Sequence, residues 1–294
     1  MKNQIKVIIL PLYYSNSKYN IYEYNKTNKN HLEIVKADEL LSDLSNNFNI
    51  SQIDIVGGEI SLLSDFYFDM LYNLCKIYSK KINVYTNFIK VNKSIINNCT
   101  SLNVICNFNE FNTDIEQVFH NINATDKTIN LKSLDVSCIK NPDKIIGMLN
   151  NTNIKSFEII PSRFINFKSY EFFENTVKIY LDKVKLMKFA FQNKLQLDNV
   201  LPIDNYNTEK IFITPDGKYA LQQFIDNKPD LLEFNNVLNL KEELNKMEKF
   251  STIYCKKCNS KLVCMSNYFF DMSYNDVSCC GFKNLIEQYK QRSK

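Results

Sequence analysis

What this 294-residue chain lacks removes several classes of function before any motif is considered. It has no apolar run long enough to cross a bilayer. The first such run, Val7-Ile8-Ile9-Leu10, is cut by Pro11 and followed by Tyr and Asn residues with no small-residue cleavage site, which argues against both membrane insertion and secretion. It has no concentrated basic face: the formal charge of +4 comes from Lys and Asp/Glu scattered along the chain, so the counterion release that drives nucleic-acid binding has no local source. There is no phosphate loop of the Gly-x4-Gly-Lys-Ser/Thr type. Histidine is nearly absent, and neither His31 nor His120 stands in a metal or triad motif, so surface or capping roles are expected of both. What remains is a folded protein, expected in the cytoplasm, whose 45% apolar content suffices for one large core or for a large domain plus a small one.

Cysteine is plentiful but unevenly placed. Five of the nine cysteines fall in the last forty residues, and without a secretory signal such a cluster points to a metal site sooner than to a disulfide framework. Cys75, Cys99, Cys106 and Cys138 stand singly in helical or strand-like segments and read as buried reduced thiols.

The hydrophobic periodicity alternates between strand and helix. Strands are expected at Ile5 to Tyr13, Ile53 to Val56, Ile82 to Phe88, Leu102 to Phe108, Thr128 to Ser137 and Ile154 to Ile160. Helices are expected at Leu32 to Phe48, Asp65 to Tyr78, Lys93 to Asn98, Asp114 to Asn121, Pro142 to Asn150 and Tyr170 to Phe191. Six strands with intervening helices imply a parallel sheet with its helices on the outer face, an open partial barrel smaller than the closed eightfold one. After about Lys194 the pattern changes. Ile211 to Leu221 reads as a hairpin turned by Pro215-Asp216-Gly217, followed by a helix at Leu240 to Lys249, the cysteine segment and a terminal helix at Phe282 to Lys290. This tail is too small for a good core, and a structural metal would supply the missing stability.

Three motifs follow one another in a telling order. The first strand runs into Pro11-Leu12-Tyr13-Tyr14-Ser15-Asn16, the second ends in Gly57-Gly58-Glu59, and the third ends in Thr86-Asn87-Phe88. The tail carries Cys255-x2-Cys258-x5-Cys264 and then Cys279-Cys280. In this order and at these distances the chain resembles radical SAM enzymes with a C-terminal SPASM domain, over nearly its whole length. That resemblance implies an α/β fold: a partial (β/α)6 TIM-like barrel over residues 1–195 and a small SPASM-like metal-binding domain over residues 196–294.

The defining Cys-x3-Cys-x2-Cys of that family would fall on Ser15, Tyr19 and Tyr22. Hydroxyl groups are too weakly acidic to replace thiolates as soft anionic ligands, so no radical chemistry and no catalytic residue is expected. In the family the Gly-Gly-Glu segment holds the methionine amino group of S-adenosylmethionine, which makes Gly57, Gly58 and Glu59 a vestigial cofactor site; Ile60 replaces the usual Pro, and Phe88 replaces the glycine of Thr-Asn-Gly. Glycine suits such a site because backbone must come close to a ligand, and the aromatic at 88 would fill space once given to one. In the tail, Gln222 and Tyr268 stand where two auxiliary-cluster cysteines would be. Cys255, Cys258, Cys264 and Cys279, the last with Cys280 as its neighbour or spare, match the positions that hold the outer cluster. Four thiolates suit one [4Fe-4S] cluster or one zinc ion equally well. Carboxylates at Asp54, Glu59, Glu110, Asp135 and Glu158 are placed to line the barrel mouth or to pair with lysines.

The resemblance further implies a catalytically degenerate protein of peptide maturation. Such a protein would bind a ribosomally made precursor peptide, or the modifying enzyme, for which an ATP-grasp ligase is one candidate. The alternative is an enzyme that uses S-adenosylmethionine without radicals or an auxiliary cluster for electron transfer.

Overall fold

Alternation along the strands builds the molecule. In the computed structural model, which describes residues 2–14, 31–106, 113–133, 154–159, 209–225 and 228–255, strand β1 (Gln4–Ile9) turns Ile5, Val7 and Ile9 to one face and Ile8 to the other. The same two-residue period runs through β2 (Asn49–Ile55), β3 (Ile82–Thr86), β4 (Ser101–Cys106) and β5 (Thr128–Ser133), which give Ile53, Ile55, Val84, Leu102, Val104, Ile129 and Leu131 to the face of Ile5. Strand β6 (Ile154–Ile159) completes a parallel set.

The helices cover that apolar face. Helix α1 (Ile34–Asn47) contributes Ala37, Leu40, Leu41 and Leu44, and α2 (Asp65–Tyr78) contributes Phe68, Leu71 and Cys75. Short α3 (Lys93–Asn98) adds Ile95, and α4 (Thr113–Asn123) adds Ile115, Val118, Phe119 and Ile122. Their starts are written in the sequence: Ser64 accepts a bond from the Tyr67 amide and Asn92 one from the Ile95 amide, each satisfying a donor that has no partner within its helix. The extents of α2 and α3 are those expected from periodicity, while β1 ends at Ile9 and β3 at Thr86, earlier than expected, and β2 begins earlier, at Asn49.

The hairpin of the C-terminal third belongs to this same sheet. Strand β7 (Glu209–Ile213) lies parallel beside β1, with Val7 opposite Ile211 and Ile9 opposite Ile213. The Thr214–Lys218 turn, with Gly217 at φ 70°, then leads into antiparallel β8 (Tyr219–Ile225) and β9 (Lys228–Phe234). The order is β6-β5-β4-β3-β2-β1-β7-β8-β9, nine strands among the described residues. The expected division at 195/196 thus falls between strands that share one sheet. Strand β9 has no counterpart among the expected elements. Helix α5 (Val237–Cys255) is longer than expected and packs Leu240 and Leu244 into the helix-side core, with Cys255 as its last residue. The helices expected at 142–150, 170–191 and 282–290 lie outside the described residues.

Candidate functional site

The ends of β1, β2 and β3 meet at Glu59. The chain leaves β2 through Val56 and enters two left-handed residues, Gly57 at φ 110° and Gly58 at φ 37°. Both conformations favour glycine, and space demands it as well. A Cβ on Gly57 would stand 2.8 Å from the Leu10 side chain and 3.0 Å from its Cα, and one on Gly58 would stand 1.9 Å from the carbonyl oxygen of Tyr14. What comes close to these glycines is therefore the backbone that follows β1. The amide of Glu59 donates to the same Tyr14 oxygen at 2.9 Å.

The Glu59 side chain is buried, 2% exposed, and turned into the protein. Its Oε1 accepts bonds from Thr86 Oγ1 at 2.5 Å and from the Ser61 amide at 2.9 Å, and its Oε2 accepts one from the Asn87 amide at 2.7 Å. Burial pushes the carboxyl above its usual 4.5, while the bonds from Thr86 and Asn87 pull it back. The described residues place no lysine, arginine or histidine in ion-pair contact with this carboxylate.

Thr86 Oγ1 also accepts the amide of Phe88 at 3.0 Å, and Asn87 Oδ1 accepts that of Ile89 at 3.1 Å. Phe88 is held at φ 58°, an uncommon conformation for a residue with a side chain. Its carbonyl and that of Ile89 accept bonds from Asn121 Nδ2 of α4, at 2.8 and 3.0 Å. The ring of Phe88, 1% exposed, packs in the helix-side core with Ile95 and Val84. It fills the layer between sheet and helices.

A second polar constellation occupies the face of the sheet opposite the helices. Asp54 of β2, 4% exposed, pairs through Oδ2 with Lys6 of β1 at 2.8 Å and accepts at Oδ1 from Gln52 Nε2 at 2.6 Å and Asn83 Nδ2 at 2.9 Å. Near the ends of β1 and β7, Tyr13 Oη donates to Glu233 Oε1 at 3.5 Å, and Lys218 pairs with Glu233 Oε2 at 2.7 Å. Sequence reasoning missed this group, because Tyr13 and Glu233 are joined only by the pairing of β1, β7, β8 and β9. A groove of about 630 Å³, lined among others by Lys2, Phe48, Glu209 and Lys241, lies at the starts of β1, β2 and β7, opposite the end that carries Glu59.

Cys75 and Cys99 are buried thiols, both pushed up to about 12 by burial, which leaves them protonated and unreactive. His31 and His120 are exposed. Among the described residues no three His, Cys, Asp or Glu side chains gather as a metal site. Ser15, Tyr19, Tyr22, Cys258, Cys264, Cys279, Glu110 and Asp135 lie outside those residues, and Glu158 is described by its backbone alone. No described helix is long and apolar enough to cross a membrane.

No protein-family model matches the sequence, and no curated protein matches it at a significant level. Solved structures do match in fold. The native structure of anSMEcpe with bound AdoMet and Cp18Cys peptide is similar over 98% of this chain and 95% of that one, with a TM-score of 0.62 at 14% identity. Streptococcus suis SuiB bound to S-adenosylmethionine matches over 97% and 75%, with a TM-score of 0.54 at 12% identity. SuiB bound to its precursor peptide SuiA matches over 74% of this chain, which spans 59% of that one, with a TM-score of 0.50 at 13% identity. Two of these structures hold S-adenosylmethionine and two hold a peptide, and at such identities the likeness is one of fold alone.

The groups which that fold implies can be tested against the residues present. Between Pro11 and Tyr22 there is no thiol, so this donor set does not fit a radical-generating iron–sulfur cluster. The tail does offer thiols: Cys255, at the end of α5, with Cys258, Cys264 and Cys279 forms a donor set whose chemistry fits a four-iron cluster or tetrahedral zinc.

Proposed function

We propose that this chain binds a ribosomally made precursor peptide, or the enzyme that modifies it, in a peptide maturation system, and that it does so without radical chemistry of its own. The observation that carries this reading is a conjunction. A likeness of fold over 98% of the chain to a protein solved with AdoMet and a peptide stands beside a sequence after β1 that has no thiol to hold the reactive cluster. A sheet-lined fold that accommodates a peptide keeps that capacity when the chemistry is lost, because strand pairing and side-chain pockets are independent of the cluster.

In this reading residues 1–195 form the partial barrel and residues 196–294 a SPASM-like tail. Cys255, Cys258, Cys264 and Cys279 hold one metal centre, iron–sulfur or zinc, which contributes stability to the part of the tail that follows the shared sheet. A partner such as an ATP-grasp ligase would then supply the reaction.

The test is calorimetric titration of the metal-loaded protein with peptides encoded beside its gene. Saturable binding of one of them is the expected result; a folded, metal-loaded protein that binds none and captures no neighbouring enzyme would sink the proposal. Metal and sulfide analysis after anaerobic purification identifies the centre. About four irons with matching sulfide would mean a cluster, and one zinc without sulfide a structural site.

A further inference from the structure

An α-ammonium group is recognised by oxygen acceptors with lone pairs to spare and by backbone that can draw near. At the end of β2 both requirements are already met from within the chain. The close approach permitted by Gly57 and Gly58 is taken by Leu10 and by the Tyr14 carbonyl, which also accepts the Glu59 amide. Three of the carboxylate's roughly four acceptor sites are taken, two on Oε1 by Thr86 Oγ1 and the Ser61 amide and one on Oε2 by the Asn87 amide. The carboxylate is 2% exposed, beneath the Ser61 and Thr86–Asn87 backbone that it binds, so a ligand could reach it only by opening that turn.

These bonds also have a task of their own. The Thr86 to Ile89 turn contains Phe88 in a left-handed conformation, which costs on the order of 1–2 kcal/mol for a residue with a Cβ. Glu59 grips that turn from β2, through the Thr86 hydroxyl and the Asn87 amide, and Asn121 grips it from α4 through the Phe88 and Ile89 carbonyls. We infer that Gly57-Gly58-Glu59 works in this chain as an internal clasp, joining the ends of β1, β2 and β3 and holding the Phe88 turn, and does not receive S-adenosylmethionine. The clasp stands whether or not a peptide binds elsewhere on the fold.

Two measurements on the full chain test it: titration with S-adenosylmethionine, and thermal melts of Glu59→Gln, Phe88→Gly and the double variant. The expected results are no saturable binding of S-adenosylmethionine at millimolar concentration and a melting temperature about 5 °C lower for Glu59→Gln. The loss caused by Glu59→Gln should shrink in the Phe88→Gly background, where the turn no longer needs holding. Saturable binding by the parent protein that disappears in Glu59→Gln would overturn the inference, as would a Glu59→Gln protein that melts with the parent. Binding that survives Glu59→Gln would overturn it too, because the glutamine carbonyl still offers an acceptor. Should Glu59→Gln fail to fold, the parent's titration decides the cofactor question, and equal melting of the Phe88→Gly and Phe88→Ala variants would remove the strain on which the clasp acts.

Discussion

Asp54 and Glu59 are both buried carboxylates, one within β2 and the other in the turn that follows it, and each bridges β1, β2 and β3 by different means. Asp54 is neutralised by the Lys6 ammonium and surrounded by the side-chain amides of Gln52 and Asn83. Glu59 has backbone amides and one hydroxyl as its partners. The first arrangement ties side chains, which can repack; the second ties main chain, and so dictates loop conformation. The same three strands are thus fastened twice, flexibly at mid-sheet and rigidly at their ends.

The largest effect should come from disturbing the rigid end. Gly58→Ala places a methyl group on the Tyr14 carbonyl in a left-handed residue, and a loss of about 4 kcal/mol is expected in chemical denaturation. A loss below about 1 kcal/mol would mean that the turn is soft and the contrast with Asp54 unfounded.

At mid-sheet, Lys6→Ala leaves the Asp54 charge buried without its cation, and a loss of about 3 kcal/mol should follow. Replacing both partners together, Lys6→Met with Asp54→Leu, should recover most of that stability, because a well-packed apolar pair is often as good as a buried ion pair. Glu59→Leu should show no such recovery with any single partner change, since two of its three donors, the Ser61 and Asn87 amides, are in the main chain. Equal rescue at the two sites would erase the distinction.

Glu59→Gln keeps the shape but turns an NH2 donor toward the donors of Thr86 and Ser61 or of Asn87, at an expected cost of about 2 kcal/mol. It should also change the pH dependence. Burial raises the folded-state value of Glu59 above 4.5, so the folded protein holds this proton more tightly than the unfolded chain does. The resulting stabilisation is complete below about 4.5 and is lost as the pH rises through the folded-state value. Stability measured against pH should therefore fall more steeply for the parent than for Glu59→Gln above 4.5, and superimposable slopes would show that Glu59 titrates normally.

The smallest effect is the most diagnostic. At ordinary positions glycine is less stable than alanine, but Phe88→Gly should be more stable than Phe88→Ala by about 1 kcal/mol, because only glycine relieves the left-handed strain while the cavities differ by just one methyl group. A reversed order would show that the turn relaxes without the ring.

Much of this frame can be read from residues. The Ser64 and Asn92 caps mark α2 and α3, and the isoleucine, valine and leucine alternation marks the parallel strands, because both signals are local. Strand β9 is not legible: Lys228-Pro229-Asp230 reads as a turn, and only antiparallel pairing with β8 makes it a strand. The Lys6–Asp54 and Tyr13–Glu233 contacts are invisible for the same reason, since they depend on which strands become neighbours. Gly57-Gly58 announces a close approach without saying what approaches. The answer, the carbonyl of Tyr14, rests on how the chain leaves β1. The abundant asparagines look like compositional bias, yet Asn92 caps a helix and Asn121 secures two carbonyls of a strained turn.

The insertion of β7 beside β1 bears on how the protein is made. During synthesis β1 through β6 emerge first, yet one flank of β1 has no neighbour until residues 209–213 have left the ribosome. For most of translation the nascent chain therefore carries a bare seam of apolar β1 backbone, the kind of edge that recruits other strands. Chaperone dependence should then be greatest for nascent chains released just short of residue 209, and should fall sharply once β7 is long enough to close the gap.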